Sequence, residues 1–105
     1  MAAFHDVYRP KAAQNVAYNA AAGASTQSTA FGSQTYAVRV CAAGVVSATI
    51  DGVRIAVGDN PTATATSALL PVQWVEYIKC GPGQKIAVLG NSTGTGSVSV
   101  VELTD

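Results

Sequence analysis

The chain has 105 residues, with six Lys+Arg balanced by six Asp+Glu, and a sequence pI near 6.5. That length holds one domain and excludes a second, catalytic one. Charged residues are only 11% of the chain, less than half the roughly 25% usual for a soluble globular domain, so much of the surface is either uncharged or covered by a partner. Balanced charge without a basic run also excludes the footprint of a nucleic-acid binder.

Small residues dominate. The chain has 19 Ala, 10 Gly, 8 Ser and 10 Thr, against 30 larger apolar residues, enough for a thin two-layer core that association would help to stabilise. Val contributes 14 residues against 4 Leu and 4 Ile, a β-branched bias that favours strands over amphipathic helices.

In chain order, Met1 to Tyr8 has neither the basic start nor the apolar run of a signal peptide, and no stretch of 18 apolar residues follows. The expectation is a soluble protein made in the cytoplasm, with no membrane partner. Residues Ala12 to Val38 carry no charge but are kept polar by Gln14, Asn15, Asn19 and a run of Ser, Thr and Gln. Ala20 to Gly23 could form a helical turn by propensity, yet no large apolar residues recur at helical spacing. Residues 1–30 are therefore expected to be an extended arm, with one strand around Gln14 to Asn19, either disordered or laid across a neighbouring subunit. The division implies that the arm can be removed without unfolding residues 31–105.

From Thr35 the pattern sharpens: Tyr36, Val38 and Val40 alternate with Thr35, Ala37 and Arg39, as in a half-buried strand. Val45 to Ile50 and Val53 to Val57 flank Asp51-Gly52, which suits a type I′ hairpin. Gly58-Asp59-Asn60-Pro61 breaks the strand. Thr62 to Ala68 then reads as a solvated connection whose hydroxyls satisfy their own backbone, although they could also read a sugar or a neighbour. Strands are expected at Val72 to Lys79 and Gln84 to Leu89, joined by a tight reversal at Cys80-Gly81-Pro82-Gly83. A last hairpin is expected through Gly90 to Gly96 into Ser97 to Leu103. Six or seven short strands with regular turn signals predict an all-β fold, a small antiparallel β-sandwich or jelly-roll-like barrel over residues 31–105.

No catalytic or cofactor motif survives inspection. Gly94-Thr95-Gly96 follows a strand, but Ser99 stands where a dinucleotide fingerprint needs its third glycine, and a Val-rich strand follows in place of a helix. His5 is the single imidazole and lies in the arm, so a surface or interface role is favoured over catalysis. Of the acids Asp51, Asp59, Glu76 and Glu102, turn chemistry accounts for the first two. Asn91-Ser92-Thr93 matches a glycosylation acceptor pattern, read as accidental without a secretory signal. Cys41 and Cys80 form no C-x-x-C and are read as reduced; facing strands could still bring them to disulfide distance. No enzyme activity, metal or cofactor is expected. Trp74 either caps an edge of the core or, with Tyr77, forms an exposed platform. Tyr8, Tyr18, Phe31 and Trp74 are the candidate interface residues.

The run Val57-Gly58-Asp59-Asn60-Pro61-Thr62-Ala63-Thr64-Ala65-Thr66-Ser67, followed by Leu69-Leu70-Pro71, Val75-Glu76-Tyr77-Ile78, Pro82-Gly83-Gln84-Lys85 and Ser97 to Leu103, resembles small structural proteins of tailed bacteriophage virions. The resemblance covers roughly residues 35 to 103, and its motifs are turn and packing signals. It implies a capsid decoration, or cement, protein on the capsid exterior, a homo-oligomer whose partner is the major capsid protein; the small core and the charge-free stretch from Ala12 to Val38 point to a trimer with cyclic symmetry. A head-fibre, neck or tail component, or a carbohydrate-binding β module, are the alternatives.

Overall fold

The computed structural model describes residues 9–11, 13–19, 25–45, 52–71, 73–90 and 95–104. Among them there is no helix; nine strands form two antiparallel sheets packed as a small β-sandwich. The strands are β1 (Arg9–Pro10), β2 (Gln14–Asn19), β3 (Thr26–Gln27), β4 (Ala37–Val45), β5 (Gly52–Gly58), β6 (Ala68–Pro71), β7 (Val75–Lys79), β8 (Lys85–Gly90) and β9 (Thr95–Thr104). In sheet A the order is β9-β4-β7, with β1 and β2 end to end along the other side of β9. In sheet B the order is β3-β8-β5-β6.

The period-two pattern decides which side chains face inward. Val38, Val40 and Ala42 of β4 stand opposite Glu102, Val100 and Val98 of β9, and directly opposed residues share a face. Val38, Val40, Ala42, Val98 and Val100 pack with Val16, Tyr18, Phe31, Val53, Leu70, Cys80, Ile86 and Val88 in one buried cluster. Tyr36 departs from the alternation expected for it: β4 starts one residue later, and Tyr36 is exposed while Thr35 is buried.

The strand expected at Gln14–Asn19 is present, but the arm it belongs to is no appendage. β2 pairs along its whole length with β9, and Val16 and Tyr18 enter the core. β3 pairs with β8, Ser28 exchanges backbone and hydroxyl hydrogen bonds with Ile86, and the Phe31 amide donates to the Gln84 carbonyl. A boundary at residue 31 thus cuts through the sandwich. The physical reason is that small, uncharged residues suit a close-packed edge as well as they suit an arm.

Two expected hairpins also change, and a third falls partly outside the described residues. β4 lies in sheet A and β5 in sheet B, so they do not pair; Val46 to Asp51 lie outside the described residues. Gly52 opens β5 opposite Pro71, and a side chain there would collide with the Leu70 carbonyl oxygen. Its glycine permits this close strand approach. The tight reversal at Gly81–Gln84 is present: the Gln84 amide donates to the Gly81 carbonyl, and Gly83 has φ 79°, as a type II turn with Pro82 ahead of it requires. That turn joins β7 in sheet A to β8 in sheet B, however, and β8 and β9 are likewise in different sheets. Among the described strands, β5 and β6 are the consecutive pair that forms a hairpin.

The Asp59–Ser67 connection of that hairpin is ordered by its own hydroxyls. The Thr64 amide donates to Ser67 Oγ, and the Ser67 amide donates to the Thr64 carbonyl. Its first half is tied to the edge of sheet B: Gln27 Nε2 donates to Asn60 Oδ1 and to the Pro61 carbonyl, and the Ala63 amide donates to Ser25 Oγ.

Candidate interface

The strand expected over Val72 to Lys79 starts at Val75; Val72 lies outside the described residues. Leu69-Leu70-Pro71 ends β6 in sheet B, and β7 begins at Val75 in sheet A. The crossing is made at Gln73, whose φ of 67° is the left-handed conformation that a non-glycine residue seldom adopts. Its amide donates to the Ala42 carbonyl, and the next amide, of Trp74, donates to the Pro71 carbonyl. The first of these is a tertiary bond and the second a local turn bond, and together they offset the local strain, which costs on the order of 1 kcal/mol. Sequence reasoning had no signal for this kink, because Gln carries no left-handed preference.

The kink leaves Trp74 58% exposed and Tyr77 67% exposed, with Val75 and Leu69 also at the surface. On β7, Val75 and Tyr77 stand opposite Cys41 and Arg39 of β4, on the outer face of sheet A. Glu76 and Ile78 stand opposite Val40 and Val38, on the core-facing side. β6 and β7 are the edge strands of their sheets. Where they adjoin, the sandwich holds an open cleft of about 330 Å³ lined by Ile55, Ala56, Val57, Ala68, Leu69, Glu76 and Ile78. Its walls are apolar and its one charged group is Glu76. Scattered apolar residues on a surface need no explanation, but Trp74, Val75 and Tyr77 form an exposed apolar strip at the free edge strand of sheet A, the kind of surface that marks a contact; Leu69, next to the fully buried Leu70, faces out from sheet B.

The four candidate interface residues do not come together. Trp74 is at the exposed strip. Tyr18 is 5% exposed and Phe31 3% exposed, both in the core cluster, so neither is available to a partner in this fold. Tyr18 packs because Gln14, Val16 and Tyr18 follow the inward phase of β2, and its hydroxyl donates to the Ala43 carbonyl. Tyr8 lies outside the described residues, as do His5 and the Asn91-Ser92-Thr93 pattern. Val75 and Tyr77 complete the strip. In the sequence Tyr77 was read only beside Trp74, as one half of an exposed platform.

A second polar cluster closes one end of the sandwich. Glu102 lies opposite Val38 on the core-facing side of β9, where its Oε1 accepts from the Gly32 amide at 2.8 Å and from Thr35 Oγ1 at 2.5 Å. These charge-assisted bonds fasten the 32–35 turn to β9. Burial, with the Glu102 carboxylate adding to it, pushes the Cys80 thiol above its ordinary range, so this sulfur is a packed core group rather than a nucleophile. Both cysteines are free: Cys80 is in the core, while Cys41 is on the outer phase of β4. Among the described residues, no group of three or more His, Cys, Asp or Glu could hold a metal ion, and no helix is long and apolar enough to cross a membrane.

Comparison with known protein families, with curated proteins and with solved structures finds no match.

Proposed function

We propose that this chain is a structural protein of a tailed-bacteriophage virion, a capsid decoration protein that self-associates and binds the major capsid lattice from outside. The observation that carries the reading is the exposed apolar strip of Trp74, Val75 and Tyr77 along the free edge strand of sheet A. The chain around it has charge on only 11% of its residues, so that strip and the small polar residues must meet a partner by shape and backbone bonding more than by electrostatics. The sequence resemblance supplies the identity of that partner. Repetition over a symmetric lattice would multiply a modest contact into tight attachment, and binding only to the assembled shell would stabilise that shell by mass action.

The test is co-sedimentation with capsids stripped of their decoration, using the intact chain and Trp74→Ala. The intact chain is expected to pellet with capsids, and Trp74→Ala to bind about tenfold more weakly, the scale of a lost interface aromatic. No binding to capsids by the intact chain would overturn the reading. Labelled protein located on virions by electron microscopy then separates the head surface from a neck, tail or fibre position.

The exposure of both Trp74 and Tyr77 favours one second reading, a carbohydrate-binding β module in which the aromatic faces stack on a sugar. A glycan array that lights up with the intact chain and goes dark with Trp74→Ala, with no capsid co-sedimentation, would select it.

A further inference from the structure

The backbone of β7 has a direction. In an antiparallel ladder, alternate residues of a strand exchange both backbone hydrogen bonds with one neighbour, and the residues between them point their N–H and C=O the other way. The Cys80 amide donates to the Tyr36 carbonyl, and the Gln73 amide to the Ala42 carbonyl. These bonds place Tyr36, Val38, Val40 and Ala42 as the residues of this segment whose backbone faces β7. Through the register, Glu76, Ile78 and Cys80 are their partners. Val75, Tyr77 and Lys79 therefore present their backbone N–H and C=O to the free edge, and the same residues carry the exposed side chains Val75 and Tyr77 on the outer face.

We infer that a second copy of this chain adds to that edge, β7 against β7, antiparallel about a two-fold axis through Tyr77. In this register Val75 faces Lys79 of the second copy and Tyr77 faces its own equivalent, so every edge-facing backbone group of both strands is bonded. Sliding by two residues either way leaves part of each strand unbonded, and sliding toward Val75 also sets Glu76 against Glu76. The strand is complementary to itself: one Glu and one Lys leave the pair without net repulsion, and the aliphatic stem of Lys79 covers Val75. Tyr77 stacks on Tyr77 at the centre.

The opposite edge of the sandwich argues for a closed two-fold pair over the ring that a trimer needs. A ring requires two different complementary surfaces on each copy. At the other edge β2 and β3 are already stitched across the sheets, with Thr26 Oγ1 donating to the Ala17 carbonyl at 2.6 Å and the Thr29 amide and hydroxyl donating to Gln14 Oε1. Glu76 has a second part in this arrangement. A charge on the core-facing side of an edge strand resists pairing because it loses water there, and in this register Glu76 stands beside Ile78 of the second copy. It keeps the pairing reversible.

This inference rests on the self-association part of the proposed function. Its test is a concentration series by sedimentation velocity, with thermal melting to confirm that each variant folds. The intact chain is expected to dimerise in the micromolar range. Tyr77→Lys, which sets two charges on the axis, should weaken the dimer about tenfold or more. Tyr77→Pro should do the same by removing an edge-facing N–H that β4 does not use. Glu76→Gln should tighten the dimer, and Asn15→Lys on the opposite edge should leave it unchanged. Under oxidising conditions Tyr77→Cys should cross-link across the axis, where facing Cα atoms are about 5.5 Å apart. Lys79→Cys should not, its equivalents being about 13 Å apart along the strands. An assembly that forms yet ignores both Tyr77 variants, or that cross-links as readily through Lys79→Cys, overturns the β7 pairing and leaves self-association standing. A chain that stays monomeric throughout overturns both, and capsid co-sedimentation remains the separate measure of attachment.

Discussion

The two open sides of this sandwich are built from similar strands and end differently. On the β2/β3 side, Val16 and Tyr18 turn inward, and Thr26, Thr29 and Gln14 bridge the sheets. On the β6/β7 side, Trp74, Val75, Tyr77 and Leu69 turn outward around an apolar cleft. The first side ties its two edge strands together within the chain and buries its aromatic residue. The second leaves apolar surface and edge-facing backbone for another molecule. In a domain with so thin a core, the difference separates residues that hold the fold from residues that are free to serve contact.

The largest expected effect breaks the comparison at its stitched side. Deleting residues 1–30 removes β2 and β3, uncovers Ile86, Val88, Val98 and Val100, and is expected to abolish the cooperative thermal transition. Survival of that transition with an unchanged midpoint would mean that these strands are an appendage after all. Next in size is a matched pair. Tyr18→Ala removes a buried aromatic ring and is expected to cost about 3–5 kcal/mol, a large part of the roughly 5–15 kcal/mol that holds a domain. Tyr77→Ala should change stability by about 0.5 kcal/mol or less while weakening self-association. Urea unfolding of both variants beside sedimentation reads the contrast directly, and equal losses of stability would erase it.

The smallest effect concerns the foot of β7, where Cys80 enters the core. Its folded-state thiol is pushed up by burial and then by the Glu102 charge, while in the unfolded chain it ionises near pH 8.5. Above that value the unfolded state loses a proton that the folded state keeps, so stability is full below it and falls as pH rises toward the folded-state value. Urea midpoints at pH 7 and pH 10 are expected to differ by more in the intact chain than in Cys80→Ala. An identical alkaline loss in both would remove Cys80 from the account.

Much of the fold was legible because its signals are local. The Val-rich alternation over Val38 to Val40 and Val98 to Val100, the strand at Gln14–Asn19 and the Pro82-Gly83 turn each follow from a few neighbouring residues. The exposed strip was half legible: Trp74 and Tyr77 together were one of two readings, an exposed platform, whereas the exposure of Trp74 depends on the kink at Gln73, which a bond to Ala42 holds from another strand. Phe31 and Tyr18 looked available to a partner because their flanks are small and polar; in the fold those flanks are the edge, and the rings fill the core.

The sequence by itself determined that this chain is all-β, where most of its strands lie and which side chains alternate along them, since backbone propensity and period-two patterning act over a few residues. Only the tertiary structure decided which sheet each strand joins. Asp51-Gly52, Gly81 to Gln84 and Gly90 to Gly96 carry the same turn chemistry whether the next strand folds back beside the last or crosses to the opposite sheet. That choice is made by burial of Val53, Leu70, Ile86 and Val88 against Val38, Val40, Val98 and Val100, residues far apart in the chain. Hydrophobic burial is additive and non-directional, so no local signal records which distant face will cover a strand, and the open β7 edge is what remains once those faces are matched.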